Sequence, residues 1–214
     1  MKRTILSLSD YKSSLGDIHE RITSIINLSF EDWCKIQDYS NSLGIGTVIY
    51  KPRTKAGIVH DHICHRIFNE FYNHTDIKVG EFNGVFGFLY KDSFFIRFKK
   101  MNAKNFFTSN ANTNQNMKYL YQESSIPGLP EKPTILYVGY SLDKTNSTIQ
   151  GIYTACWDGK QLNWVDEHGI ESAEQTTIDF SLNEDKNHVA VEKIIKRISV
   201  KAAYKKTTKG TGTH

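Results

Sequence analysis

The sequence has few cysteines and no long apolar segment, and these two absences exclude several classes of protein. Its three cysteines, Cys34, Cys64 and Cys156, are widely separated and odd in number. This pattern argues against a disulfide framework and against a cysteine-rich zinc site, because both use paired spacings. No apolar run approaches the length that crosses a bilayer, and the N-terminal segment is too short and too polar for a secretory signal. We therefore expect a cytoplasmic protein that does not associate with membranes.

The composition is otherwise that of a globular protein. The 214 residues are 39% hydrophobic, 12% aromatic and 23% charged, and the formal net charge is +4. These values are close to ordinary usage, and a chain of this length can bury a sizeable core. The distribution of the charge is more informative than its sum, because acidic residues are absent between residues 193 and 209.

The first third of the chain has the apolar periodicity of helices. Apolar residues recur every three or four positions, which predicts helices over residues 13–28, 30–43 and 57–73. Ser29 is in a suitable position to cap the second helix at its N-terminus. On the third helix, His60 projects inside or beside the apolar stripe.

After residue 75 the apolar pattern changes to a period of two, which is typical of strands. Residues 85–100 read as a hairpin that turns near Lys91 and Asp92. A tight turn there would place Phe86 and Phe88 beside a basic strand face that carries Arg97 and Lys99. Further strands follow, so the predicted fold class is α+β, with N-terminal helices followed by an antiparallel β meander.

The predicted domain organisation has three parts. Residues 1–170 form the α+β domain, and the polar, acidic residues 171–187 form a linker or a surface excursion. Residues 188–214 contain a basic amphipathic helix and a disordered tail. The apolar side of this helix lacks Trp, Phe and Leu anchors, which makes a membrane surface its weakest candidate partner.

Several short segments occur in an order that resembles one known family. They are FGFLYKDSFFIRFKKM, NTNQN, IPGLP, LYVGYSLD and a strand that ends at Trp164. Over residues 58–168 this series resembles an uncharacterised bacterial family of prophages and mobile elements, encoded beside helix-turn-helix or metalloprotease-like regulators. The resemblance rests on Arg97, Phe98, Lys99, Lys100, Gln115, Gln122, Pro127, Gly128, Pro130, Gly139, Tyr140 and Trp164. It implies a phage-defence or toxin–antitoxin setting, and it implies no reaction.

Basic residues in two regions form the leading candidate site, which is a contact with DNA or RNA. Arg97, Lys99 and Lys100 would neutralise phosphates, and Gln115 lies in a neighbouring segment rich in amides. A second electrostatic contact would come from the C-terminal basic residues, Lys193, Lys196, Arg197, Lys201, Lys205 and Lys206. The predicted function is a nucleic-acid-contacting binding or regulatory component.

Two alternatives remain open. The first is a metal-dependent nuclease or toxin in which Glu70 and Glu81 hold Mg²⁺ and Lys99 steadies the attacking water. Its weakness is Arg97, which stands two residues before Lys99 where such nucleases place an acid. The second is a protein-interaction module, such as an antitoxin that binds a cognate regulatory protein.

A metal site on the third predicted helix is a weaker candidate. His62 and His65 are neighbours on one helix face, and imidazole is a common ligand of transition metals. At most two ligands share that face, so other ligands would have to come from elsewhere in the fold.

Overall fold

A computed structural model describes residues 1–43, 50–108 and 113–169. Its elements follow the predicted order, with three helices first and then six strands, and one short helix lies between the third and fourth strands in the chain. Met1–Ile170 form one compact unit. The predicted linker at 171–187 and the predicted basic helix at 188–214 lie outside the described residues.

Two helices occupy the region where the sequence predicts helices over 13–28 and 30–43. Helix α1 is Leu8–Leu15, and Ser7 begins it with a capping box in which the backbone N–H of Asp10 donates to the Ser7 hydroxyl over 3.2 Å. Helix α2 is Asp17–Ser42 and runs without interruption through Ser29. The predicted boundary at Ser29 is wrong, because the Ser29 hydroxyl donates back to the carbonyl of Ile25 over 2.7 Å instead of capping a new helix.

Helix α3 is Pro52–Phe71, and its apolar stripe is buried as predicted. Pro52 occupies the first turn, where its missing N–H costs no helical hydrogen bond. Helices α1, α2 and α3 bury one continuous apolar surface against the sheet.

The sheet has strands β1 (Ile77–Phe82), β2 (Val85–Tyr90), β3 (Phe94–Lys100), β4 (Thr134–Leu142), β5 (Ile149–Asp158) and β6 (Gln161–His168). The strands lie in sequence order, and every neighbouring pair is antiparallel except β3 and β4, which are parallel. The fold is therefore α+β, as predicted, with one parallel pair in place of an unbroken meander. Parallel pairing requires the chain to cross back over the sheet between residues 101 and 133.

This crossover contains helix α4 (Asn114–Leu120) and covers the sheet face opposite α1–α3. Alternate residues of the central strands therefore enter two different cores. Ile96 and Val138 pack with the long helices, whereas Phe95 and Tyr137 pack with Tyr119 of α4. A sheet covered on both faces explains why eight of the nine positions of β4 are buried.

The register of the β2–β3 hairpin differs from the prediction by one residue. Tyr90 pairs with Phe94, so the turn contains residues 91–93 and not only Lys91 and Asp92. Shifting the pairing by one residue moves each side chain to the other face. Phe86 and Phe88 consequently lie against Phe98 in the helix-side core, away from Arg97, and the prediction that they line a basic face is wrong.

None of the helices within the described residues combines the length and the apolar character needed to span a bilayer.

Candidate cationic groove

Two lysines from different elements meet at a groove beside the end of β3. Lys55 comes from the first turn of α3, and Lys100 is the last residue of β3. Both bind Asn146 in the β4–β5 loop: Lys100 Nζ donates to the side-chain oxygen of Asn146 over 3.1 Å, and Lys55 Nζ donates to its backbone carbonyl. The surrounding cationic groove is lined by Trp33, Cys34, Gln37, Asp38, Tyr50, Pro52, Lys55, Lys100, Thr145, Asn146 and Ser147.

The β4–β5 loop is held in shape by Asp143. One of its carboxylate oxygens accepts from the backbone N–H groups of Ser147 over 2.7 Å and Thr148 over 3.1 Å. The Thr145 hydroxyl and these backbone donors hold the pKa of Asp143 well below its ordinary value. Asn146 adopts the left-handed conformation with φ of 57°, which an Asn side chain tolerates better than most. The loop therefore presents hydroxyl and amide groups to the groove in a fixed arrangement.

The lysines in and near this groove differ from the other described lysines in their exposure and in their ion pairs. Within the described residues, Lys55, Lys99 and Lys100 are the only lysines that are not exposed, and none of the three has a carboxylate partner. Five exposed lysines do have such partners: Lys2, Lys12, Lys35, Lys78 and Lys91.

Burial lowers the pKa of Lys55, Lys99 and Lys100, because each ammonium loses hydration. The nearby Asp143 carboxylate raises the pKa of Lys55 by less than burial lowers it. The charge of Lys100 lowers the pKa of Lys55 further. The Lys55 ammonium also lies 4.8 Å from the ring centroid of Phe30, a cation–π contact that offsets part of the lost hydration. A bound anion would offset much more of that loss.

Lys99 lies near α3, on the side that carries His60 and Cys64. Burial, followed by the charge of Lys99, lowers the pKa of His60, so this imidazole is neutral near pH 7. Burial raises the pKa of Cys64 to about 12, which keeps it as a thiol 3.5 Å from the ring of His60. The Lys99 ammonium is therefore the charged group of this small cluster.

Arg97 is buried, with 5% of its surface exposed. Its guanidinium donates to the hydroxyl of Tyr137 over 2.9 Å and to Asn116 Oδ1 over 3.3 Å, and it lies 4.3 Å from the ring centroid of Tyr119. Arg97 is therefore not accessible for the predicted contact with phosphate, because the crossover between β3 and β4 covers its side chain.

Gln115 remains exposed but has a local partner. Its side-chain amide donates to the carbonyl of Asn83 over 2.5 Å, which ties the start of α4 to the β1–β2 turn. Tyr119 makes a second tie, because its hydroxyl donates to the carbonyl of Phe82 over 2.9 Å. The contacts of Gln115 in the structure are thus with the protein itself.

The residues predicted for a nuclease do not contact one another. Arg21 of α2 donates to Glu70 over 2.5 Å, in a partly exposed ion pair. Glu81 is exposed on β1, opposite Phe86 of β2. No ion pair or hydrogen bond between described residues joins Glu70, Glu81 and Lys99.

The two histidines predicted as a possible metal site on α3 contact different residues. His62 lies 3.2 Å from a carboxylate oxygen of Asp32, which Arg66 contacts over 2.6 Å. His65 lies 3.0 Å from the amide of Asn69. Neither histidine belongs to a cluster of three metal-ligand side chains in the described part of the chain.

A buried polar network that the sequence analysis did not single out connects the helices to β5 and β6. His168 is 2% exposed, and its two ring nitrogens lie 2.7 Å from the hydroxyls of Thr23 and Thr154. The Thr154 hydroxyl also lies 2.8 Å from that of Tyr11. The available signal was the spacing of Asp166 and His168, because alternate residues of a strand share a face.

These features define an α+β protein with a mixed, mostly antiparallel sheet and a cationic groove beside its central parallel pair. Comparisons with protein-family models, with curated proteins and with solved structures find no match. The resemblance to the prophage family therefore stays a prediction, and the assignment of a function depends on the groove itself.

Proposed function

We propose that the chain binds the phosphate backbone of DNA or RNA through the cationic groove. It would do so as a binding or regulatory component of a phage-defence or toxin–antitoxin-type module. The resemblance in the sequence supports the phage-defence or toxin–antitoxin setting. The chemistry of the groove supports the contact with phosphate.

The observation that carries the proposal is the presence of half-buried lysines that form no ion pair with a carboxylate of the described residues. A cation that is partly removed from water is costly unless an opposite charge accompanies it. Lys55 and Lys100 approach each other across Asn146 despite their like charge. A phosphate between them would supply the missing opposite charge, with its oxygens accepting from both ammonium groups.

The uncharged lining of the groove suits a sugar–phosphate chain. Gln37, Thr145 and Ser147 offer amide and hydroxyl groups, and Tyr50 offers an aromatic ring. Such side chains contact phosphate and sugar in nucleic-acid complexes, and an aromatic ring can also stack on a base. The volume of about 580 Å³ is within the range of small-ligand sites and fits one or two nucleotide units, not a whole duplex.

The test is a comparison of two double variants of the full chain that remove the same charge. Lys55→Gln with Lys100→Gln removes both ammonium groups of the groove. The matched control is Lys78→Gln with Lys91→Gln, because these lysines are exposed and paired with acids near the other end of β3. Binding is measured by fluorescence anisotropy with labelled single-stranded and duplex DNA and RNA, between about 50 and 200 mM salt.

The wild type should lose affinity steeply as salt rises, since phosphate contacts release counterions. The groove variant should bind more weakly at every salt concentration, and its slope of log K against log salt should be shallower by about 1 per lysine removed. The control should resemble the wild type. Equal losses in both variants, or no wild-type complex at low salt, would refute the proposal.

A third variant separates the groove from the C-terminal contact predicted from the sequence. In it, glutamine replaces the basic residues Lys193, Lys196, Arg197, Lys201, Lys205 and Lys206. If the groove is the principal site, this variant should retain a salt-dependent complex that is still sensitive to Lys55→Gln. Complete loss of binding in this variant would assign the contact to the C-terminal residues instead.

A further inference from the structure

Two histidines and one aspartate converge where α2 meets the last strand of the sheet. His19 comes from the first turn of α2, and Asp166 and His168 share one face of β6. One ligand atom from each of the three side chains lies within 4.8 Å of the other two. Two imidazoles and a carboxylate are a donor set that binds Zn²⁺, and such a three-ligand site leaves one coordination position open.

Asp166 has an oxygen that no hydrogen bond satisfies. The residue is 6% exposed, and Lys12 Nζ lies 2.7 Å from its Oδ1 atom. The buried Oδ2 atom has no hydrogen-bond partner among the described residues. An unpartnered buried carboxylate oxygen is costly, so its position needs an explanation.

The nearest ring nitrogen to this oxygen is too distant for a hydrogen bond and suitable for a shared ion. His19 Nδ1 lies 3.8 Å from Asp166 Oδ2. Two atoms that each lie about 2.1 Å from a metal are about 3.4 Å apart at the tetrahedral angle and at most about 4.2 Å apart. The observed separation falls between these two limits.

His168 is oriented as a metal-ligating histidine usually is. The Thr23 hydroxyl donates to the carbonyl of His19 over 3.0 Å, so its oxygen accepts from the Nδ1–H of His168. That assignment leaves the lone pair of His168 on Nε2, where the Thr154 hydroxyl now donates. A hydrogen bond from the non-ligating nitrogen fixes the tautomer and the ring of a ligating histidine, and a metal would replace the Thr154 hydroxyl at Nε2.

The cluster is also accessible. The side chains of His19 and Lys12 are 22% and 56% exposed, which leaves the cluster open to solvent on that side.

We propose that His19, Asp166 and His168 form a binding site for a divalent transition-metal ion with the preferences of Zn²⁺. Thr23 positions His168, and Lys12 positions Asp166 by holding its other oxygen. This site is separate from the cationic groove and does not depend on nucleic-acid binding.

The experiment uses the full chain after treatment with a chelator. Zn²⁺ binding is measured by calorimetry, and Co²⁺ is used as a spectroscopic probe because its visible absorption reports the number and type of ligands. We expect one tight Zn²⁺ site per chain, a Co²⁺ spectrum of low-coordinate nitrogen and oxygen ligation, and a higher melting temperature with metal.

Two variants test the ligands, and a third tests the support of His168. His19→Ala and Asp166→Asn should each weaken Zn²⁺ binding by more than about 100-fold, and Thr23→Val by about 10- to 100-fold. Asp166→Asn preserves volume, so its circular dichroism should match that of the wild type and separate lost binding from lost folding.

The control removes the two histidines of α3 by His62→Ala with His65→Ala. It should bind Zn²⁺ as tightly as the wild type. Unchanged affinity in His19→Ala and Asp166→Asn, or loss of all binding in the control, would overturn the proposal and assign any metal to surface histidines.

Discussion

The buried amide of Gln122 provides the most direct test of how the crossover is attached to the sheet. Gln122 is fully buried, just after α4, and its side chain makes three hydrogen bonds to backbone groups of neighbouring strands. Its Nε2 donates to the carbonyls of Ile135 over 2.8 Å and Trp157 over 2.9 Å. Its Oε1 accepts from the backbone N–H of Ile135 over 2.8 Å. One side chain therefore satisfies backbone groups of both β4 and β5.

Gln122→Ala should lower the free energy of unfolding substantially. It leaves three backbone groups without partners in a buried region, at about 1 kcal/mol or more for each group. The expected loss is at least about 3 kcal/mol, which corresponds to a fall in the melting temperature of roughly 6–12 °C for a chain of this size. The left-handed backbone at this position, where φ is 53°, is unfavourable for glutamine and for alanine alike. Backbone strain therefore does not account for the expected difference in stability between the wild type and Gln122→Ala.

The assay is thermal and urea unfolding followed by circular dichroism, with Gln115→Ala as the matched control. Gln115 is also a glutamine of the α4 region, but it is exposed, and its side chain makes one hydrogen bond to the described part of the chain. Its loss should change stability by no more than about 0.5 kcal/mol. If Gln122→Ala melted within about 2 °C of the wild type, the bridge between β4 and β5 would not contribute as its geometry indicates.

Two further predictions concern the two glycines Gly139 and Gly57, which lie on different elements, and the ion pair between Glu70 and Arg21. Gly139→Ala should destabilise the protein by about 3 kcal/mol or more, because a Cβ there would overlap the carbonyl oxygen of Lys99 on the paired strand. Gly57→Ala, at an open position of α3, should stabilise it by about 0.5–1 kcal/mol, and urea midpoints that reversed this order would contradict the model of close strand packing. Glu70→Gln should cost less than about 1 kcal/mol, because its pair with Arg21 is partly exposed to solvent. A nuclease assay with Mg²⁺ in which Glu70→Gln abolished cleavage without changing the melting temperature would restore the nuclease alternative.

The properties that the sequence determined correctly are local ones. The buried stripes of α2 and α3 follow from apolar residues at helical spacing, and the change to a period of two after residue 75 correctly predicted strands. Helix boundaries were less predictable, because the Ser29 side chain bonds to a helix interior as readily as to a helix start. The α+β class followed from the order of the elements, which does not depend on how they pack.

The tertiary structure decided the pairing of strands and the burial of charge. The one-residue difference in the hairpin turn placed Phe86 and Phe88 on the helix side, and the parallel pairing of β3 with β4 placed Arg97 under the crossover. No local pattern encodes either result, since both depend on which distant segment covers a strand.

The two proposed sites show the same division. The distribution of charge in the sequence predicted a basic surface that includes Lys100. Only the fold brought Lys55 beside it and left both lysines without an ion pair to a carboxylate of the described residues. His19 and His168 are separated by most of the domain in the chain, yet their ring centroids lie 3.6 Å apart. A sequence specifies which side chains are present, whereas the packing of the helices against the sheet determines which of them can bind the same ion or phosphate.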